Sequence, residues 1–166
     1  VVVLAAVWDA RFRRIPNWIS GFGVVLGIGL NAVLGRGFGL ACEGLLLALG
    51  VYLILYLLRA TGAGDVKLMG AVGALAGWQD WVGIFCISAI LGGVAAVLAA
   101  ALRGRTRHTL ANAGAIVAAL SRGRAPYRVR EELDVRSPRA LRLPHGVIIA
   151  CGTIGFLVLS GHLPPP

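Results

Sequence analysis

YLILYLLRATGAGDVKLMGAVGALAG, residues 52–77, decides how the chain is read. One apolar run leads in and another leads out. Between them lies TGAGD, with Asp65 after Gly62 and Gly64 and with Lys67 two positions on. Glycine weakens helix and frees the backbone, so the break reads as the junction of two apolar helices, about 38–58 and 66–78. An acid and a lysine at such a junction mark the edge of an apolar layer rather than its middle.

The same pattern extends outward in both directions. The 166 residues are 58% hydrophobic and 14% charged, with 24 glycines, whereas a soluble domain is usually about half apolar and about a quarter charged. The long apolar runs displace the alternative of an all-helical soluble domain and predict an all-α, polytopic integral membrane protein. Six transmembrane helices are expected, at about 1–10, 17–34, 38–58, 66–78, 81–102 and 145–161. RFRRIPN with Pro16 separates the first two, and GRG at 35–37 turns the chain between the second and third. QD, with Asp80, is read as a turn between the fourth and fifth. Residues 1–166 form a single transmembrane domain with a basic cytoplasmic loop at 103–143. Within that loop, 108–123 has an apolar centre and basic flanks, which suits an interfacial helix better than a seventh span. The first residue is Val1, and a span needs about 20 residues, so the first helix is expected to begin upstream of it; no signal-peptide n-region or cleavage site is visible.

Charge orients the spans. Net charge is +9, which in a soluble protein would point to nucleic acid. Here the distribution matters more. If the loop after the first helix is cytoplasmic, alternation places 59–67 and 103–143 on the same side, and of the 16 lysines and arginines only Arg36 falls outside. That bias predicts an N-out, C-out topology. The positive charge then reports topology and attraction to anionic membrane lipid, and no nucleic-acid partner is expected.

Most polar residues have plain structural readings. Cys42, Cys86 and Cys151 are far apart, with no CxxC or Cys/His spacing, so they read as small apolar groups and no metal or cofactor is implied. His108, His145 and His162 are scattered, and no serine sits in a GxSxG context. Gly73 and Gly77 form GxxxG, read as close packing within the chain. Of seven acids, Glu131, Glu132 and Asp134 lie among the arginines of the long loop, Asp80 in the QD turn, and Glu43 toward the outer end of the third helix.

Asp9 and Asp65 remain. The topology puts both at the cytoplasmic edge, on different helices. Acids near hydrocarbon are costly and usually functional. Local pairing is one reading, Asp9 with Arg13 and Asp65 with Lys67 or Arg59. The other is that the two meet. Two carboxylates a few ångströms apart share one proton: the ionised member takes a proton from water while the protonated member polarises a peptide carbonyl. That chemistry is an aspartic peptidase's and needs no metal. Gly62 and Gly64 would let a substrate strand lie close and would loosen the helix start. Two further alternatives are a small proton- or cation-coupled transporter, which would place its acids at the bilayer midplane, and a non-catalytic assembly subunit.

GAGDVKLM (62–69) resembles the GxGD motif of membrane aspartic proteases. WDARFRRIPNWIS (8–20) and LPHGVIIACG (143–152) resemble the first and last helices of the type IV prepilin peptidases. The resemblance implies a bacterial inner-membrane endopeptidase that removes the basic leader of pilin-like precursors at the cytoplasmic face. It carries the catalytic pair onto Asp9 and Asp65, the motif glycines onto Gly62 and Gly64, and a motif position onto Lys67. The larger, bifunctional members carry a CxxC-bearing domain after the first helix. Only residues 10–16 stand there in this chain and no CxxC exists, so it resembles the minimal Tad/Flp-pilus-like type, and N-methyltransferase activity is expected to be absent. Because leader and cytoplasmic surface are both basic, the substrate's apolar helix is expected to dock in the membrane against the first and fourth helices.

Overall fold

A computed structural model describes residues 1–104, 106–121 and 144–161. Most of the basic loop, including Glu131, Glu132 and Asp134, and also His162, lie outside the described residues. Seven α-helices are described: α1 (Val2–Phe12), α2 (Asn17–Val33), α3 (Phe38–Leu57), α4 (Ala63–Ala76), α5 (Trp78–Leu102), α6 (Thr106–Ser121) and α7 (His145–Leu159). The helix expected near 108–123 is α6.

Local chemistry sets the ends. Arg13 closes α1 in the left-handed region, φ 52°, and Pro16 opens α2 at its N-cap, where a missing N–H costs nothing. Gly37, φ 94°, opens α3. Gly77, φ 82°, both ends α4 and begins α5, a conformation that side-chain-bearing residues adopt only with strain. This single residue corrects the expected turn: α5 starts at Trp78, and Asp80 falls in its first turn, where a carboxylate meets the positive helix end. The start of α4 also moves upstream, to Ala63. The Gly62 N–H donates to Asp65 Oδ2 at 3.1 Å, so the acid caps the helix that was expected to begin after it.

α4 is the centre of the bundle. It packs on α2 and α3, while α7 packs on α1 and α5. Residues Leu68–Ala74 are all buried. They are small enough for backbones to touch: a Cβ on Gly27 would lie 2.6 Å from the Ala74 carbonyl carbon, and one on Gly73 would meet the backbone of Gly44. The GxxxG glycines therefore pack within the chain, Gly73 on α3 and Gly77 against Leu40, as small residues do between helices in lipid. Asn31 locks α2 to α4: its Nδ2 donates to the carbonyls of Gly27 (2.9 Å), Ala74 (3.0 Å) and Leu75 (3.2 Å). Trp81 stacks on Phe85 at 5.4 Å, with Tyr52 edge-on to both.

This enclosure bears on the docking expectation. α4 has no free face over Leu68–Ala74, so a substrate helix has nowhere to lie against that stretch. α1 does offer an open face, at Val3, Leu4, Val7 and Trp8.

The outer surface is apolar. α3 and α5 are long and apolar enough to cross a membrane, yet only 22% and 11% of their apolar windows are buried inside the protein; α2 and α7 are apolar but shorter. A core helix of a soluble protein would be mostly covered. Here Val33, Leu102 and Leu159 are 85%, 89% and 79% exposed, and apolar surface on this scale is consistent with a membrane face. Cys86 and Cys151 lie on it, exposed and unbridged.

Two cavities define the ends of the bundle. One gathers the end of α1, the start of α2, the α3–α4 junction and the start of α7. The other, about 350 Å³, gathers the start of α1, the α2–α3 turn, the α4–α5 junction and the later part of α7. Successive helices α1 to α5 therefore run in alternating directions, and α7 runs parallel to α2 and α4.

Candidate active site

The first cavity, about 470 Å³, is lined by both Asp9 and Asp65. Fifty-six positions separate them in sequence, and each reaches the cavity through a different local device. Asp9 sits in the last turns of α1 and is 8% exposed. Its Oδ2 accepts the backbone N–H of Gly146 at 2.8 Å, from the first turn of α7. Asp65 sits in the first turn of α4, with its Oδ2 on the Gly62 N–H. Asp65 interacts electrostatically with both Asp9 and His145.

Both acids line one cavity, the placement that a meeting requires. The side-chain hydrogen bond of Asp9 runs to Gly146 rather than to Arg13. Lys67 Nζ donates to Asn17 Oδ1 at 2.8 Å, fastening α4 to α2 at the cavity rim rather than pairing with Asp65. Both acids line the cavity at one end of the bundle, whereas a transporter's site lies near the bilayer midplane.

The motif glycines occupy the wall. Gly62 is the N-cap of α4 with φ −86°, a conformation open to any residue. Gly64 is inside the helix, and a Cβ there would lie 3.4 Å from Ile15 Cβ. Gly64 thus admits the chain after α1 close to α4, which holds the two acid-bearing segments together. The helix start is regular, not loosened as expected.

Arg13, Arg14, Pro144 and His145 complete much of the lining. Its volume exceeds that of one water, about 30 Å³, several-fold, leaving room for a peptide strand beside a water. Among the described residues no cluster of three or more His, Cys, Asp and Glu is arranged to hold a metal ion. The arrangement can do acid–base work: two carboxylates, each with one oxygen occupied by a backbone donor, facing a shared space.

Sequence reasoning did not find Gly146 or Asn31. The PHG step at 144–146 was the available signal, since a glycine in the first turn of an otherwise apolar helix lowers helix propensity and calls for a packing reason.

A model of the type IV leader peptidase family matches residues 1–97, more than half of the chain, including both acids. No curated protein and no solved structure matches.

Proposed function

The chain belongs to the type IV leader peptidase family, and we propose that it is the endopeptidase that cuts the basic leader from prepilin-like precursors at the cytoplasmic face of the bacterial inner membrane. The observation that carries this reading is that Asp9 and Asp65, from different helices, line one cavity at one end of the bundle. Membership implies an aspartic-type peptidase acting on prepilin-type substrates.

The proposed reaction is hydrolysis without a covalent intermediate. The ionised aspartate takes a proton from a water while the protonated one donates a hydrogen bond to the scissile carbonyl. Water attacks, the carbonyl becomes tetrahedral, and the proton is passed to the leaving amine as the C–N bond breaks. Gly62, Gly64 and Lys67 shape the cavity that receives the substrate strand.

The proposed setting is six spans, N-out and C-out, in a single domain over 1–166, with 103–143 in the cytoplasm. Support comes from the basic residues near the cavity end, Arg11, Arg13, Arg14, Arg59 and Lys67, against Arg36 at the other. Anionic lipid would gather at this basic face and hold the basic leader nearby. The exposed face of α1, next to Asp9, is the proposed track for the substrate's apolar helix. N-methylation is proposed to be absent, because residues 10–16 leave no room for a CxxC-bearing domain between α1 and α2.

The test is reconstitution of the purified protein in liposomes with a precursor carrying a short basic leader before an apolar helix. Release of the leader, with no methyl transfer when S-adenosylmethionine is supplied, is the expected result. An uncut precursor would refute the peptidase reading.

A further inference from the structure

We infer that Gly146 is a positioning residue for Asp9: its backbone N–H, presented by the first turn of α7, fixes the Asp9 carboxyl in the cavity, and only glycine leaves room for it. The inference rests on the peptidase reading for its catalytic meaning, but the contact itself stands on geometry.

Asp9 is buried, and an acid at the edge of hydrocarbon needs a donor. Side chains could supply one, yet its partner is a main-chain group 137 residues away. The first N–H groups of a helix have no partner within it. Those of Val147 and Ile148 turn back to the Pro144 carbonyl, while that of Gly146 points out to Asp9. The approach leaves no space: a Cβ at 146 would lie 2.9 Å from Asp9 Cβ and 3.0 Å from Oδ2. The Cβ of Asp9 is fixed to the α1 backbone, so the conflict cannot be relieved by turning the end of a long side chain. The carboxyl or the whole α1–α7 contact must shift.

The contact has a counterpart. Asp65 Oδ2 accepts the Gly62 N–H as Asp9 Oδ2 accepts that of Gly146. An N–H donor favours the unprotonated state of the oxygen that accepts it, so the proton prefers the other oxygen of that carboxyl. The two glycine amides therefore leave the Oδ1 atoms of Asp9 and Asp65 to hold the proton that the pair shares and to address the water and the scissile carbonyl. The start of α7, beyond the stretch matched by the family model, becomes a third component of the centre.

Gly146→Ala tests this, with Gly155→Ala as the control, because a Cβ at 155 would meet Ile87 at an ordinary 3.8 Å. In liposomes with a basic-leader precursor, Gly146→Ala is expected to lower kcat/KM about 100-fold, the scale of an ångström's misplacement of a reacting group. The loss should fall on kcat with KM near the parent's, because the cavity that receives the strand is kept while a reacting group is misplaced. The other groups lining the cavity, Asp65 and Lys67 on α4, His145 on α7, and Arg13 and Arg14 after α1, are unchanged in the variant. Gly155→Ala should keep both kcat and KM. A loss proportional to lost folded protein would reduce Gly146 to a packing residue and overturn the inference, as would full activity. A second readout needs no cleavage. The Gly146 amide resonance, identified by its disappearance in ¹⁵N-glycine-labelled Gly146→Ala, should move on Asp9→Ala and stay put on Asp80→Ala. If it does so in a protein that cuts no precursor, the peptidase reading fails and the positioning role stands. If it does not move, the positioning role fails whatever the activity.

Discussion

Asp65→Asn and Asp9→Asn are each expected to reduce leader release by about 10³-fold or more while leaving a folded protein. Proton transfer by a placed group contributes about 10²- to 10⁴-fold, and in a pair that shares one proton either substitution removes both functions at once: the remaining acid has no partner to hold the proton while it acts as base. Asparagine is close in shape and its amide oxygen still accepts an N–H, so the Gly62 and Gly146 contacts can persist and the helices stay in place. Asp80→Asn is the matched control. Asp80 lines the other cavity, with Arg36 and Val1, and its replacement should leave release unchanged. Cleavage time courses in liposomes, with thermal melting to confirm folding, measure all three.

Gly73→Val carries the largest expected effect on the fold. A Cβ at 73 would meet the carbonyl oxygen of Gly44, with the carbonyl carbon at 2.7 Å and Ala48 Cβ at 2.9 Å. Backbone faces backbone across α3 and α4, so no side chain can swing away; the helices must separate. Overpacking a core costs about 1–3 kcal/mol even when side chains can adjust, and a whole domain is stable by only about 5–15 kcal/mol. The variant should melt well below the parent in detergent, and its activity should fall in step with its folded fraction. Gly50→Val, where a new side chain meets nothing within 4 Å, should melt near the parent. A Gly73→Val protein as stable as the parent would mean that α3 and α4 do not pack as described.

Helix content and order were legible because apolar runs, glycine turns and Pro16 punctuate the sequence plainly. What failed was position at single residues. Gly77 alone joins α4 to α5, a junction earlier in the chain than the expected QD turn, and Asp65 caps α4 from inside. The central place of α4 was hidden for another reason. Its run of glycine, alanine and short aliphatic residues reads like any membrane helix, and only the packed structure shows Gly44, Gly70 and Gly73 surrounded. Hence, of the expected docking against the first and fourth helices, α4 offers no face over Leu68–Ala74 while α1 keeps an open one. The two acids were read together because the charge rule placed them at one edge, and both line one cavity. Their holders were not found, because Gly62 and Gly146 act through backbone N–H groups, which every residue but proline carries. Asn31 was missed likewise: one amide in an apolar helix says nothing of which carbonyls it will meet.

A single turnover in H₂¹⁸O tests most directly whether Asp9 and Asp65 together activate a water. Enzyme in excess over a basic-leader precursor should yield a leader whose new C-terminal carboxylate carries one ¹⁸O by mass spectrometry, with no label in the peptides bearing Asp9 and Asp65. Label appearing in either aspartate, or a labelled leader released as fast by Asp65→Asn, would contradict it.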